Sequence, residues 1–256
     1  MDPHATWFDY IPGYGALRES LHHSLGRTWE WQVFQATHFQ IAHIACALLV
    51  LMFLTVGAVR YARAVGGAGD TGLVPPATFN LRNLFEVLAD TVLGLMAGVM
   101  GEKAAKRYLP LVGTLFMFIL FSNLLGLIPG FQPPTETLKT NLALSILVFV
   151  LSHLIGVREH GLKYFKHFLG PIWWLIPLML PIEVISHIAR PVSLAMRLMG
   201  NIVGDHKLVL VFFGIFAYAL PLPFMVMGVL VCVVQAVVFS LLTTVYISQA
   251  VAHEEH

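Results

Sequence analysis

Ionisable and small residues follow one face of a single long apolar stretch. From Glu183 onward they recur at intervals of three and four residues, which is the spacing of one helical face. They are Glu183, Ser186, His187, Arg190, Ser193, Arg197, Gly200, Asn201 and Gly204, with Asp205, His206 and Lys207 directly after. A charge inside a membrane helix costs about 3 kcal/mol and marks a functional site by default. The pattern therefore favours a path for protons or cations.

Distances along a helix divide this path in two. Glu183 lies about 21 Å from Arg197, and Arg197 lies about 12 to 14 Å from Asp205 and His206. Gly200 and Gly204 form a small-xxx-small pair that lets another helix approach closely. We predict two halves of an ion path, separated by the fixed positive charge of Arg197.

A structural interpretation of the same residues stays open. Ion pairs of Glu183 with Arg190, or of Asp205 with Lys207, would hold a tilted helix in register, and Lys207 could instead extend its ammonium toward water. Arg197 has no carboxylate three or four residues away. We therefore expect its partner on another chain.

The last apolar stretch carries a second polar face. Gln235, Thr243, Tyr246 and Gln249 follow each other at intervals of 8, 3 and 3 residues. This face could line a hydrated groove or supply ordinary hydrogen bonds between helices.

The remaining histidines and cysteines do not predict a metal site. His153, His160 and His167 recur every seven residues, without the i, i+4 pair of a helical metal site, so we interpret them as helix-interface residues. Cys46 and Cys232 lie in apolar runs and are interpreted as buried hydrophobes. No nucleophile motif or Gly-rich phosphate loop occurs, and we expect neither a catalytic site nor a cofactor.

Composition places these residues in a membrane. Of the 256 residues, 57% are hydrophobic and 11% are charged, whereas a soluble domain is about a quarter charged. The 15 Lys and Arg nearly cancel the 14 Asp and Glu, and no basic tract indicates nucleic-acid binding. The sequence excludes an ordinary soluble domain, a disordered chain and a disulfide scaffold.

Apolar runs predict an all-α membrane protein with five helical spans. The runs cover about 40–59, 110–128, 141–157, 172–219 and 222–248, near the 20 residues that a helix needs to cross a bilayer. The fourth is too long to stand upright at about 70 Å. It either breaks at Pro177, Pro181 or Pro191 or runs strongly tilted and packs with the last helix.

Residues 79–101 predict an additional amphipathic helix. Arg82, Glu86 and Asp90 recur every four residues, and the apolar part, 91–100, is too short to span. We expect this helix at the membrane interface or dipping partway into the membrane, with a solvated helix face as the alternative.

The distribution of Lys and Arg predicts the orientation. Nine of them lie in loops 60–109 and 158–170, whereas three lie in residues 1–40 and the opposite loops. By the positive-inside rule, the N-terminus is outside and the C-terminus is cytoplasmic. We expect residues 1–40 to be an extracytoplasmic segment without a cleavable signal peptide, and 41–256 to be a single polytopic membrane domain.

Two motifs closely resemble subunit a of the F-type ATP synthase, the stator channel of its membrane sector. They run from Pro181 to Asn201, PIEVISHIARPVSLAMRLMGN, and from Gln235 to Ser248, QAVVFSLLTTVYIS. Weaker similarity covers Asn123 to Pro129, the Pro133 to Thr135 loop and Asn141, so it extends from about residue 80 onward.

The resemblance implies a role for each site residue. Arg197 takes the position of the essential arginine that faces a rotating ring of c subunits, and Glu183 matches the acid of the cytoplasmic half-channel. Asn201 lies one turn beyond the arginine, Gln235 matches the glutamine that faces it, and Ser193 and Tyr246 are supporting residues.

One departure from the family concerns the outer half-channel. Many relatives have a glutamate at the position of His206 and a histidine at that of Gly228. Here the acid is Asp205 and the imidazole His206, and we expect these two to form the inlet.

The function implied is proton conduction through two offset half-channels, coupled to rotation and ATP synthesis. The implied partners are the c-subunit ring, the b-subunit peripheral stalk, the remaining ATP synthase complex and the lipid bilayer, in a bacterial inner membrane. A self-contained cation/proton antiporter would need internal repeats with broken helices, of which we find none. A membrane scaffold would pair its charges locally.

Overall fold

All regular secondary structure in the described part of the chain is helical. The computed structural model describes residues 6–25, 42–66, 80–128, 130–161, 164, 176–215 and 221–251. Its α-helices are α1 (Tyr14–Leu25), α2 (Ala42–Gly66), α3 (Leu81–Met100), α4 (Glu102–Gly126), α5 (Leu138–His160), α6 (Ile176–Ile215) and α7 (Pro221–Val251). Short 3-10 turns cover Trp7–Tyr10 and Pro134–Glu136. The all-α prediction is confirmed.

Five helices in these ranges are long and apolar enough to cross a membrane. They are Ala42–Arg63, Leu81–Met100, Glu102–Gly126, Leu138–His160 and Met225–Val251. The predicted number of five long apolar helices is confirmed. The five helices are not the five predicted runs, because they include Leu81–Met100 and do not include Ile176–Ile215, the described part of the fourth run.

Residues 176–215 form one continuous helix, α6, with Pro181 and Pro191 inside it. Of the two alternatives for this stretch, the described residues have the unbroken helix. Its 40 residues measure about 60 Å, roughly twice the hydrocarbon thickness. A helix of that length fits within a bilayer only when strongly tilted.

The amphipathic helix predicted at residues 79–101 is present as α3, which packs against α4. Gly101, at φ 78°, turns α3 back onto α4, and Phe85 packs against Phe121 with ring centroids 6.2 Å apart. In its first turns, Arg82 Nε pairs with Glu86 Oε1 at 2.9 Å. The interfacial or partly inserted position of this helix stays a prediction.

The core lies around α4, which packs against α3 and α7, while α6 packs against α5 and α7. The fully buried side chains of this core come from several helices. They include Val112, Phe116 and Ile119 from α4, with Leu198 from α6 and Phe239 from α7. This packing fixes α6 and α7 against the rest of the bundle on one side only.

The bundle has two chemically different ends. At the basic end, Arg107 Nη1 binds Glu159 Oε1 at 2.7 Å, and His160 Nε2 meets the Val251 carbonyl at 3.1 Å. At the loop end, the Trp7 backbone N–H donates to the Gly130 carbonyl at 3.2 Å. The N-terminal turn and the end of α7 therefore lie at opposite ends of the bundle.

Candidate functional site

The polar stripe of α6 divides into two faces. An outward face, formed by Ser186, Ser193, Arg197, Gly200 and Gly204, is exposed. An inward face, formed by Glu183, His187, Arg190, Asn201 and Asp205, is half-buried. Successive helical residues are rotated by about 100°, which sets these faces roughly 60° to 80° apart. In the sequence the two faces look like one stripe, because the residues of both faces recur at intervals of three and four.

At the basic end of α6, Glu183 pairs with a histidine. Glu183 Oε1 lies 3.2 Å from His187 Nε2, one turn along the helix. The side chain of His187 is 12% exposed, and its ring centroid is 5.2 Å from that of His153 on α5. These contacts join two helices through ionisable groups.

Arg190 contacts α7 rather than a carboxylate. Its Nη1 donates to Gln249 Oε1 at 3.3 Å, and the guanidinium lies 5.6 Å from the centroid of the Tyr246 ring, within cation–π range. The structural alternative paired Arg190 with Glu183. In the described residues Glu183 pairs with His187 instead.

The other end of the inward face carries Asp205. Its charge lies close enough to act on the Cys232 thiol of α7, and no ion pair joins it to the exposed Lys207 among the residues described. Asn201 is half-buried one turn earlier. The side chain of His206 lies outside the described residues.

Arg197 stands between these two groups, on the outward face. No carboxylate of the described residues pairs with it, in line with the expected partner on another chain. Its neighbours on this face are Ser193 and Gly200, which are exposed. Val192 and Met196, 45% and 49% accessible, lie about 100° to 140° around the helix from Arg197. The guanidinium therefore lies beside an exposed apolar surface.

The predicted residues of α7 take different positions. Tyr246 lies under Arg190, whereas buried Thr243 donates to the Phe239 carbonyl at 2.8 Å. Gln235 is half-buried. The hydrogen bond of Arg190 to Gln249 brings this part of α6 next to the end of α7.

Gly228 of α7 lies where a neighbouring residue leaves little room for a side chain. It is buried, and a Cβ atom there would lie 2.9 Å from Leu127 Cδ2. A histidine would have to displace Leu127. The chain uses this position for close packing at the loop end.

Sequence reasoning missed the partnership of His187 and His153. The i, i+4 spacing of Glu183 and His187 is a signal that could have found their pairing. His153 lies 34 residues away on another helix, and nothing in the sequence joins it to His187. The third histidine of its series, His167, lies outside the described residues.

Comparison with known proteins gives consistent matches. Residues 40–248 match the family model described as ATP synthase A chain. The chain is 48% identical to ATP synthase subunit a 1 of Syntrophotalea carbinolica, over 82% of this chain and 86% of that protein. It is 42% identical to ATP synthase subunit a of Bdellovibrio bacteriovorus, over 89% and 99% of the two chains. With ATP synthase subunit a of Geobacter sp. strain M21, the identity is 49% over 68% and 75%.

Proposed function

The chain belongs to the ATP synthase A chain family, and from that premise we propose that it conducts protons through two offset half-channels to and from carboxylates of a c-subunit ring. Membership makes it a membrane-sector subunit of ATP synthase. The finer assignment depends on one arrangement: two polar groups at opposite ends of the inward face of α6, with outward-facing Arg197 between them.

In this proposal the inlet includes Asp205, His206 and Asn201, and the outlet includes Glu183. Gln235, Tyr246 and Ser193 are supporting residues. The groups lie on either side of Arg197, about 12 Å and 21 Å away along the helix. Protons entering at one end cannot pass directly to the other, because the charge of Arg197 repels them. They cross only by riding on the ring.

Electrostatics gives this exchange its direction. A ring carboxylate that faces lipid holds its proton, because desolvation disfavours the charged form, whereas a carboxylate beside Arg197 ionises. Arginine suits this role because it stays protonated even when poorly solvated. Each proton contributes about 2.3 kcal/mol per 100 mV of membrane potential.

The apolar surface around Arg197 supports a ring partner. Ile185, Ile188, Val192 and Met196 of α6 are each 45% to 66% exposed on the side of the outward face. A ring of apolar helices would cover them and bring its carboxylates to Arg197. The b-subunit stalk would bind elsewhere on the bundle.

We propose the bacterial inner membrane as the location, with the N-terminal segment outside and the C-terminus cytoplasmic. The opposite positions of the Trp7 turn and the end of α7 support this, as do Lys103, Lys106 and Arg158 at the basic end. By the positive-inside rule, the basic end is cytoplasmic.

Arg197→Ala tests the proposal. In inverted membrane vesicles we expect ATP-driven acidification to fall at least 100-fold, while complex assembly and ATP hydrolysis by the detached soluble sector stay intact. Lys103→Ala, which removes an exposed positive charge at the start of α4, is the matched control. Full acidification with Arg197→Ala would overturn the proposal and favour a scaffold. Uncoupled cation exchange without the soluble sector would favour an antiporter.

A further inference from the structure

Two histidines at the basic end remain outside the mechanism given above. His187 is paired with Glu183, and its ring meets that of His153 at 5.2 Å and an angle of 74°. Phe149 packs on both rings, with centroids 4.2 Å from His153 and 6.4 Å from His187. The two imidazoles therefore lie next to each other and close to the outlet carboxylate.

The backbone contact of His153 fixes which of its ring nitrogens carries the hydrogen. Its Nδ1 lies 2.8 Å from the Phe149 carbonyl oxygen, which can only accept, so Nδ1 carries the hydrogen. In the neutral ring the lone pair is then on Nε2.

Tyr164 continues the row of rings beyond α5. Its ring centroid lies 5.9 Å from that of His153 at an angle of 88°, and it packs directly on Gly156 of α5. Burial raises the pKa of the Tyr164 phenol, opposed by nearby Arg190. Tyr164 thus flanks His153 at the basic end.

The neighbouring cation does not compete for the outlet carboxylate. Arg190 is held by Gln249 and Tyr246 of α7, which leaves Glu183 to His187. His160, seven residues after His153 on α5, contacts the Val251 carbonyl oxygen through its Nε2. No group of three or more His, Cys, Asp or Glu residues in the described ranges is arranged to hold a metal ion. Proton transfer is the chemistry left to the pair.

We propose that His187 and His153 form a proton relay that carries protons from Glu183 across to α5 and toward the basic end. A proton moves from Glu183 to His187 Nε2, and the imidazolium formed releases its Nδ1 proton through water to His153 Nε2. His153 then releases that proton from Nε2 to water at the basic end, since its Nδ1 hydrogen stays bonded to the Phe149 carbonyl. His187 regains its starting tautomer when water takes the hydrogen from Nε2 and returns one to Nδ1, so neither a charge nor a proton accumulates. The relay rests on the proposed function, because it serves the same outlet.

The test uses ATP synthesis in inverted vesicles driven by a potassium–valinomycin potential. In these vesicles the cytoplasmic side faces the medium, so the outlet is open to added buffer. We expect His187→Ala and His153→Ala each to lower the synthesis rate about fivefold to tenfold. The double variant should be no slower than the slower single variant, because both act in one route.

Chemical rescue separates a relay from packing. Imidazole added to the medium should restore at least half of the rate of His187→Ala. His187→Phe keeps a ring of similar size and should stay as slow as His187→Ala without imidazole. His160→Ala, the matched control on the same helix, should stay within twofold of the natural protein and gain nothing from imidazole.

Several outcomes would overturn the relay. They are a natural rate in assembled His187→Phe complexes, a loss in His187→Ala that imidazole does not change, or independent, multiplicative losses in the double variant. If His187→Ala does not assemble, His187→Phe decides. Arg197→Ala in the same vesicles distinguishes the two proposals. If Arg197→Ala still synthesises ATP, the proposed function is wrong and the relay falls with it. If Arg197→Ala abolishes synthesis and His187→Phe works at the natural rate, only the relay is wrong.

Discussion

Polar side chains have different surroundings in two regions of the molecule. These regions are the buried loop end of α4 and α5 and the outward face of α6. Around α4, Thr135 donates to Asn123 Oδ1 at 2.6 Å and Asn141 donates to the Thr135 carbonyl at 2.7 Å. All three residues are at most 2% exposed. On α6, Arg197 is exposed and unpaired within the described residues. The side chains at the loop end therefore bind each other, although Asn123 Nδ2 and Asn141 Oδ1 have no hydrogen-bond partner among the described residues, whereas Arg197 lies open at the surface.

This contrast predicts that changes in one region lower the stability of the complex and changes in the other lower its transport rate. Changes in the Asn123, Thr135 and Asn141 network should lower the amount of folded complex, and each surviving complex should work normally. Changes on the inward face of α6 should lower the rate per complex and leave assembly unchanged. The following variants test that division, in order of decreasing expected effect.

Asn141→Leu should have the largest effect. It removes the donor to the Thr135 carbonyl and leaves that buried oxygen without this partner, which costs about 3 kcal/mol. We expect a strong decrease in assembled complex on native gels and in thermal stability, with proton pumping per assembled complex unchanged. A rate defect without loss of complex would break the division between the two regions.

Gly101→Ala should follow, at about 2 kcal/mol. Gly101 has φ 78° and ψ 158°, a conformation that residues with a Cβ atom rarely adopt. The α3–α4 turn should be strained and the complex less thermostable. Gly98→Ala, in the preceding turn and with open space around its Cβ position, is the control and should melt like the natural protein.

Asp205→Asn should slow transport about tenfold, which corresponds to about 1.4 kcal/mol. The amide keeps the size of the side chain but cannot carry the proton of the proposed inlet. We expect slow pumping in vesicles with full assembly. Normal pumping would remove Asp205 from the inlet and leave it a structural residue beside Cys232.

Glu183→Gln should give the smallest of these changes, about fivefold. Release to the cytoplasmic side should be impaired while the complex stays assembled. Measured from roughly pH 6 to 9, a range that lies above the ordinary pKa of a carboxyl group, the rate should fall below that of the natural protein. Identical rates throughout would contradict the assignment of Glu183 to the outlet.

Periodicity and composition predicted most of the fold but not its long-range contacts. The length of the apolar run identified α6, because few other structures accommodate so many apolar residues. The helix predicted at residues 79–101 is present as α3, and the spacing of four residues matches the Arg82 to Glu86 pair within it. Its packing on α4 depends on contacts between helices, which the spacing within one helix does not contain.

The candidate site was predicted unevenly for a similar reason. The absence of a nearby carboxylate set Arg197 apart in the sequence, because that test uses only positions within one helix, and its partner on another chain stays a prediction. The Arg190 to Gln249 contact joins residues separated by 59 positions, and the rings of His153 and His187 belong to different helices. Contacts of this kind follow from packing, which local spacing does not determine.

The two prolines inside α6 also make part of this helix mechanically soft. Proline has no backbone N–H, so the carbonyls of Pro177 and His187 lack the donors that Pro181 and Pro191 would otherwise supply. The loss of two backbone hydrogen bonds, at positions ten residues apart, lowers the bending stiffness of this segment compared with a regular helix. The part of α6 that carries Glu183 and His187 can therefore flex elastically against α5 while the rest of the helix keeps its shape.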